Sequence, residues 1–121
     1  MTDIEIQKQF ELWNSAILSG DSKKVTALYD ENAILLPTIS NKVRHNHSEI
    51  DDYFKQFLSK GPKGEVDESN PRLFGDVAIN SGLYKFSFKD GDIVKARFTF
   101  VYRRVRDSWK IVEHHSSVMP E

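Results

Sequence analysis

Tyr102, Glu113 and His115 are the residues whose types best fit acid–base chemistry. A carboxylate beside a histidine raises its pKa toward a working general base, and a phenol can donate to a substrate oxygen. The same two partners can instead satisfy a histidine buried in a sheet core, so residue types leave both readings open. Arg44, followed by His45, can close a pocket mouth over an anionic ligand or stand solvated in a loop. His114 and His115 are adjacent, and on a strand adjacent side chains point to opposite faces, so they cannot chelate one ion together. His45 and His47 have i, i+2 spacing but no supporting carboxylate motif. The expectation is therefore no metal and no cofactor. No P-loop, dinucleotide fingerprint or nucleophile elbow occurs. Cysteine is absent, which removes disulfides and thiolate chemistry and permits a reducing compartment.

For Tyr102, Glu113 and His115 to meet, the last two strands must present them on one face. A two-residue turn at Asp90-Gly91 pairs Lys89 with Asp92, and the ladder then sets Tyr84 opposite Arg97 and Leu83 opposite Phe98. Ile79, Ser81, Leu83, Ala96, Phe98, Phe100 and Tyr102 then share one face. Asn80, Gly82, Tyr84, Phe86, Arg97, Thr99 and Val101 share the other. The final turn, near Arg106 to Ser108, sends Glu113, His115 and Ser117 to the side of Phe98, Phe100 and Tyr102. It sends Val112, His114 and Ser116 to the opposite side. A β-bulge would reverse this assignment. The expected pocket is Phe98, Phe100, Tyr102, Glu113, His115 and Ser117, with Arg44, His45 and Tyr53 from the helical side. The expected partner face is Tyr84, Phe86, Arg97, Thr99, Val101 and His114.

The elements that carry these strands can be read upstream. Ile6, Phe10, Trp13 and Ile17 recur at steps of four, three and four, one stripe of a helix opened by a Thr2-x-x-Glu5 capping box and ended at Gly20. Asp21 caps a second helix on which Val25, Leu28 and Tyr29 share a face. Ala33 to Leu36, before Pro37, reads as a short buried strand, and Thr38 to Asn46 as a polar loop. Ser48 with Asp51 repeats the capping pattern before Ile50, Tyr53, Phe54, Phe57 and Leu58, and Gly61-Pro62 closes that third helix. From Gly64 the sequence turns β-rich, with Gly75-Asp76 and Asp90-Gly91 as turns. The order predicts an α+β fold, with three helices on the concave face of a curved, mostly antiparallel sheet.

The totals agree. With 121 residues, 39% hydrophobic, 29% charged and a net charge of -1, the chain suits one domain over 1–121 and lacks the basic excess of a nucleic-acid binder. Asp3 and Glu5 stand where a secretory signal would be positive and then apolar, and no run is long enough to span a bilayer. The expected location is cytoplasmic, with no nucleic acid and no membrane partner.

The closing run Arg97-Phe-Thr-Phe-Val-Tyr-Arg-Arg and Trp109-Lys-Ile-Val-Glu-His-His-Ser-Ser-Val-Met-Pro-Glu121 resembles the nuclear-transport-factor-2-like superfamily. Within it, the chain resembles the stand-alone bacterial relatives of the association domain of calcium/calmodulin-dependent protein kinase II. Leu36 to Arg44 and Tyr53 to Lys60 extend the resemblance over nearly the whole chain. It implies a cystatin-like cone with a cavity between helices and sheet, and homodimerisation, or larger assembly, through the open sheet face. Arginines line the cavity of the kinase's association domain, and the aligned positions here are Leu83, Phe100 and Ser116, so that anion-binding set is not carried over. Fold does not choose among the superfamily's cyclases, isomerases, dehydratases and assembly modules. Three functions follow as expectations: an oligomer holding a small organic ligand, a cyclase-, isomerase- or hydratase-like enzyme using His115, and assembly with a vestigial pocket.

Overall fold

The computed structural model describes residues 3–38 and 40–121. Helix α1 (Asp3–Leu18) buries Ile6, Phe10, Trp13 and Ile17, the stripe its spacing predicts. The chain leaves it through Gly20, whose φ of +73° suits a residue without Cβ. The Thr2-x-x-Glu5 capping box lies outside the described residues. Helix α2 (Ser22–Thr26) is capped by Asp21, whose side chain accepts from the Lys23 amide, as expected. It is shorter than its sequence face suggests. Tyr29 does not extend that face but opens strand β1 (Tyr29–Leu36), four residues earlier than Ala33.

Helix α3 (His47–Leu58) buries Ile50, Tyr53, Phe54 and Phe57. Its cap is Asn46 rather than Ser48, with the Glu49 amide donating to Asn46 Oδ1 at 2.9 Å. Glu49 in turn accepts from the His45 amide and ring Nδ1, both at 3.0 Å, and these bonds, the ring's first, hold its pKa down. Four long strands follow: β2 (Lys63–Phe74), β3 (Val77–Ser87), β4 (Ile93–Val105) and β5 (Ser108–Val118). The sheet order is β1-β5-β4-β3-β2, antiparallel except where β1 runs beside β5. Three helices on one face of a mostly antiparallel sheet make an α+β fold, as the element order predicts.

Two local departures decide which side chains face the helices. The Asp90-Gly91 turn takes one residue more than the two-residue reading: Phe88 is the last paired residue, its amide donating to Asp92 O, and Gly91 adopts φ +95°. The β3–β4 ladder therefore slips by one, with Tyr84 opposite Ala96 and Leu83 opposite Arg97. A one-residue slip exchanges the faces of a strand. Tyr84 and Phe86, expected on the partner face, are buried in the core, and Ile79, Ser81 and Leu83 move to the outer face.

The second departure is a bulge in β5. The Arg106-Asp107 turn pairs Val105 with Ser108, and the ladder runs regularly to Tyr102 opposite Ile111. Val101 then pairs with Glu113, so Val112 is the extra residue. Beyond it the parity is inverted. His114 and Ser116 face the helices, while Glu113, His115 and Ser117 face outward. An unbulged strand would place the Glu113 carboxylate in an aromatic core without a cationic partner, at a desolvation cost that the bulge avoids.

Candidate functional site

Under the helices the inner sheet face is dense with rings. Trp13 of α1 stands between Phe54 of α3 and Tyr84, Phe86 and Phe100 of the sheet, at centroid separations of 5.6 to 6.4 Å. His114 lies in this aromatic layer, its imidazole stacked on Phe100 at 4.0 Å and 20°. It is 3% exposed. Burial, and secondarily the neighbouring His115, push its pKa down to about 3, so the ring is neutral at ordinary pH.

The polar groups around that ring form one directed chain. Trp13 Nε1 can only donate, and it donates to Tyr29 Oη at 3.1 Å. The Tyr29 proton is then free for His114 Nδ1, 2.8 Å away. A neutral imidazole accepting at Nδ1 carries its proton on Nε2, which faces Tyr84 Oη at 3.2 Å. Tyr84 donates to Ser116 Oγ at 2.5 Å, and Ser116 Oγ bonds Thr38 Oγ1. Every donor in the series Trp13, Tyr29, His114, Tyr84, Ser116 has a distinct acceptor. Burial holds the phenols of Tyr29 and Tyr84 well above the usual range, so both stay protonated.

This chain ends at a cleft. Trp13, Tyr53, Phe54, Phe57, Phe86 and Phe88 provide its rings, and Thr38, Tyr84, His114 and Ser116 its polar groups. It is narrow, with a cavity volume of about 30 Å³. Arg44 lies beside it, its guanidinium 5.3 Å from the Tyr53 ring centroid. Burial raises the Tyr53 phenol to about 12 despite the opposing arginine.

The sequence-predicted site is thus only partly assembled. Phe98, Phe100 and Tyr102 are buried on the inner face, but none of them lines the cleft. Tyr102 Oη finds no hydrogen-bond partner among the described residues, and burial raises its pKa. Glu113 and His115 are exposed on the outer face, so the Tyr102–Glu113–His115 cluster does not form. Ser117 sits there opposite Arg97. Of the helical-side candidates, Tyr53 lines the cleft, Arg44 adjoins it, and His45 is held outside by Glu49. His114, expected on the partner face, is the buried centre of the site. Arg97, Thr99 and Val101 do lie on the outer face. Reasoning from sequence missed Trp13, Tyr29 and Thr38 as polar participants. The one available signal was the possibility of a bulge, which exchanges His114 for His115. Among the described residues no group of three histidines, aspartates or glutamates is placed to hold a metal ion, and no helix is long and apolar enough to cross a membrane.

Comparison with known proteins first defines the class. Two solved structures share the fold at low identity. One is an NTF2-like protein of unknown function from Pseudomonas putida, at 20% identity over 95% of this chain and 84% of that one, TM-score 0.84. The other is described as a "putative dehydratase from the NTF2-like family" of Streptomyces avermitilis, at 16% identity over 98% and 96%, TM-score 0.83. The fold is accordingly NTF2-like, or cystatin-like. The family description "Calcium/calmodulin dependent protein kinase II association domain" matches residues 2–120. A structure described as a "putative calcium/calmodulin dependent protein kinase II association domain", from Xanthomonas campestris, is 43% identical over 97% of this chain and 87% of that one, TM-score 0.93. The chain belongs to the calcium/calmodulin-dependent protein kinase II association domain family. A search of curated protein sequences finds no significant match.

Proposed function

We propose that this protein is a self-associating domain that holds a small organic molecule in the cleft between helices and sheet, as a binder rather than a catalyst. The observation that carries the binding reading is the state of His114. Both ring nitrogens are engaged by tyrosine hydroxyls, and the ring is neutral, so no base is free to take a substrate proton. What the cleft offers a guest is hydroxyl groups and aromatic surface, the composition of a recognition pocket.

Self-association is supported by family membership, since association domains are assembly modules, and by the uncovered outer sheet face. There Ile79, Leu83, Thr99, Val101 and Val112 are half-buried among Arg97, Arg103, Glu113 and His115. Long strands with one bare face carrying apolar residues suit a partner sheet. The enzyme alternative, moved from His115 to His114 with Tyr84 as donor, is opposed by the same engaged ring.

Thermal shift against a panel of small aromatic and aliphatic metabolites tests the pocket. Bound compounds should raise Tm in the native protein and do so less in Ser116→Ala, which removes a hydroxyl from the cleft. A panel in which nothing raises Tm overturns the pocket. Turnover of any bound compound overturns the binder assignment.

A further inference from the structure

We propose that the guest is an uncharged carbonyl compound, a small ketone or aldehyde with an apolar body, whose oxygen accepts a hydrogen bond from Thr38 Oγ1; this rests on the cleft reading above. Among the described residues no charged side chain lines the cleft. Its polar members are hydroxyls, the Trp13 indole and the neutral ring of His114. A charged head would lose its hydration there with no countercharge to replace it. Space sets the size of what enters. A cavity of about 30 Å³ has room for about two or three heavy atoms, since one water needs about 10–15 Å³. An acetyl or formyl head is of that size, with its body left against the surrounding rings.

That the head is an acceptor follows from the direction of the hydrogen-bond chain. An indole N–H cannot accept, so the series runs only away from Trp13: to Tyr29, His114, Tyr84 and then Ser116. Ser116 Oγ and Thr38 Oγ1 are bonded to each other. Each member from Trp13 to Thr38 brings one proton and Trp13 accepts none, so the series ends in a donor rather than an acceptor. That last proton belongs to the Ser116–Thr38 pair. Ser116 is 6% exposed, whereas Thr38 is half-buried. An unpaired donor costs least where a guest or water can reach it, which places it on Thr38. Thr38 also acts on the Tyr84 phenol, but Tyr84 Oη already accepts from His114 and donates to Ser116. Each bond in such a series polarises the next, so the terminal hydroxyl donates more strongly than an isolated threonine.

The test is calorimetric titration of the full chain, native and Thr38→Val, with acetophenone, ethylbenzene and benzoate, which share one ring and differ in the head. Thr38→Val, once its circular dichroism is native, keeps the side-chain shape and removes the hydroxyl. It should weaken acetophenone about two- to tenfold, the range of one hydrogen bond between uncharged groups, and should not weaken ethylbenzene. In infrared difference spectra the isotope-labelled carbonyl of bound acetophenone should absorb at lower frequency in the native protein than in Thr38→Val. Benzoate should bind the native protein more weakly than acetophenone. An acetophenone affinity that falls no more than that of ethylbenzene overturns the Thr38 assignment, as does a carbonyl frequency equal in the two proteins. Tighter binding of benzoate than of acetophenone overturns the uncharged assignment. Each of these outcomes leaves the cleft as a binding site. Failure of both acetophenone and ethylbenzene to bind overturns the cleft reading and the carbonyl assignment together.

Discussion

At the scale of single residues, His114 concentrates the physics of the site. The unfolded chain takes up a proton on this histidine near pH 6.5. The folded protein takes it up only near pH 3. Between those values the unfolded state binds more protons, so stability falls as pH falls, by about 1.4 kcal/mol per unit from this group alone. Asp51, whose carboxylate is held down first by the Ser22 hydroxyl and then by lysines, acts in the same direction only below about pH 4. Urea unfolding between pH 6.5 and 4 therefore reads mainly the histidine. The slope should flatten in His114→Gln, and an unchanged slope would show that His114 titrates normally. Tyr29→Phe is the companion test. It strips Trp13 Nε1 of its acceptor and His114 Nδ1 of its donor, and should cost about 1–3 kcal/mol for each orphaned group by denaturant titration.

At the scale of elements, two irregularities set the register on which the site depends. Strand β2 carries a bulge between Val66 and Glu68, opposite Tyr84 and Leu83 and next to the Ser69–Gly82 pair. A Cβ on Gly82 would stand 2.0 Å from the Glu68 carbonyl oxygen, whereas a Cβ on Gly75 would meet nothing within 4 Å. Gly82→Ala should therefore cost about 1–3 kcal/mol or more, from overpacking against backbone. Gly75→Ala should cost about 1–2 kcal/mol, from its φ of +62° alone. Equal losses in thermal denaturation would sink the bulge argument. Deleting Val112 should do something different, returning β5 to regular pairing while Ile111 and His114 both stay on the inner face. The expected readout is that the buried His114 signal persists in an NMR pH titration, and its loss would show that Val112 is not the extra residue.

At the scale of the whole molecule, the sheet has two dissimilar faces with separable tasks. The inner face, with Tyr84, Phe86, Phe98 and Phe100, is saturated with rings and covered by helices. Among the described residues no element covers the outer face. Light scattering at micromolar concentration should give a dimer or larger assembly, and Val101→Glu, placing a charge at the middle of that face, should shift it toward monomer. A wild-type monomer would remove self-association from the proposed function. The cleft should bind in either state, because its lining residues come from the helices, the inner sheet face and the Pro37-Thr38 segment.

The sequence alone determined the α1 stripe, the order of elements, the α+β class and the outward direction of Arg97, Thr99 and Val101. These follow from periodicity and turn chemistry, which act within a few residues. Tertiary structure decided which histidine is buried. A strand's faces alternate with period two, so a single added residue inverts them, and nothing in the local sequence marks Val112 or the extra turn residue at Lys89 as that addition. Both are selected by what the core will accept: Tyr84, Phe86 and His114 fill an aromatic layer with satisfied hydroxyls, and the carboxylate of Glu113 remains in water.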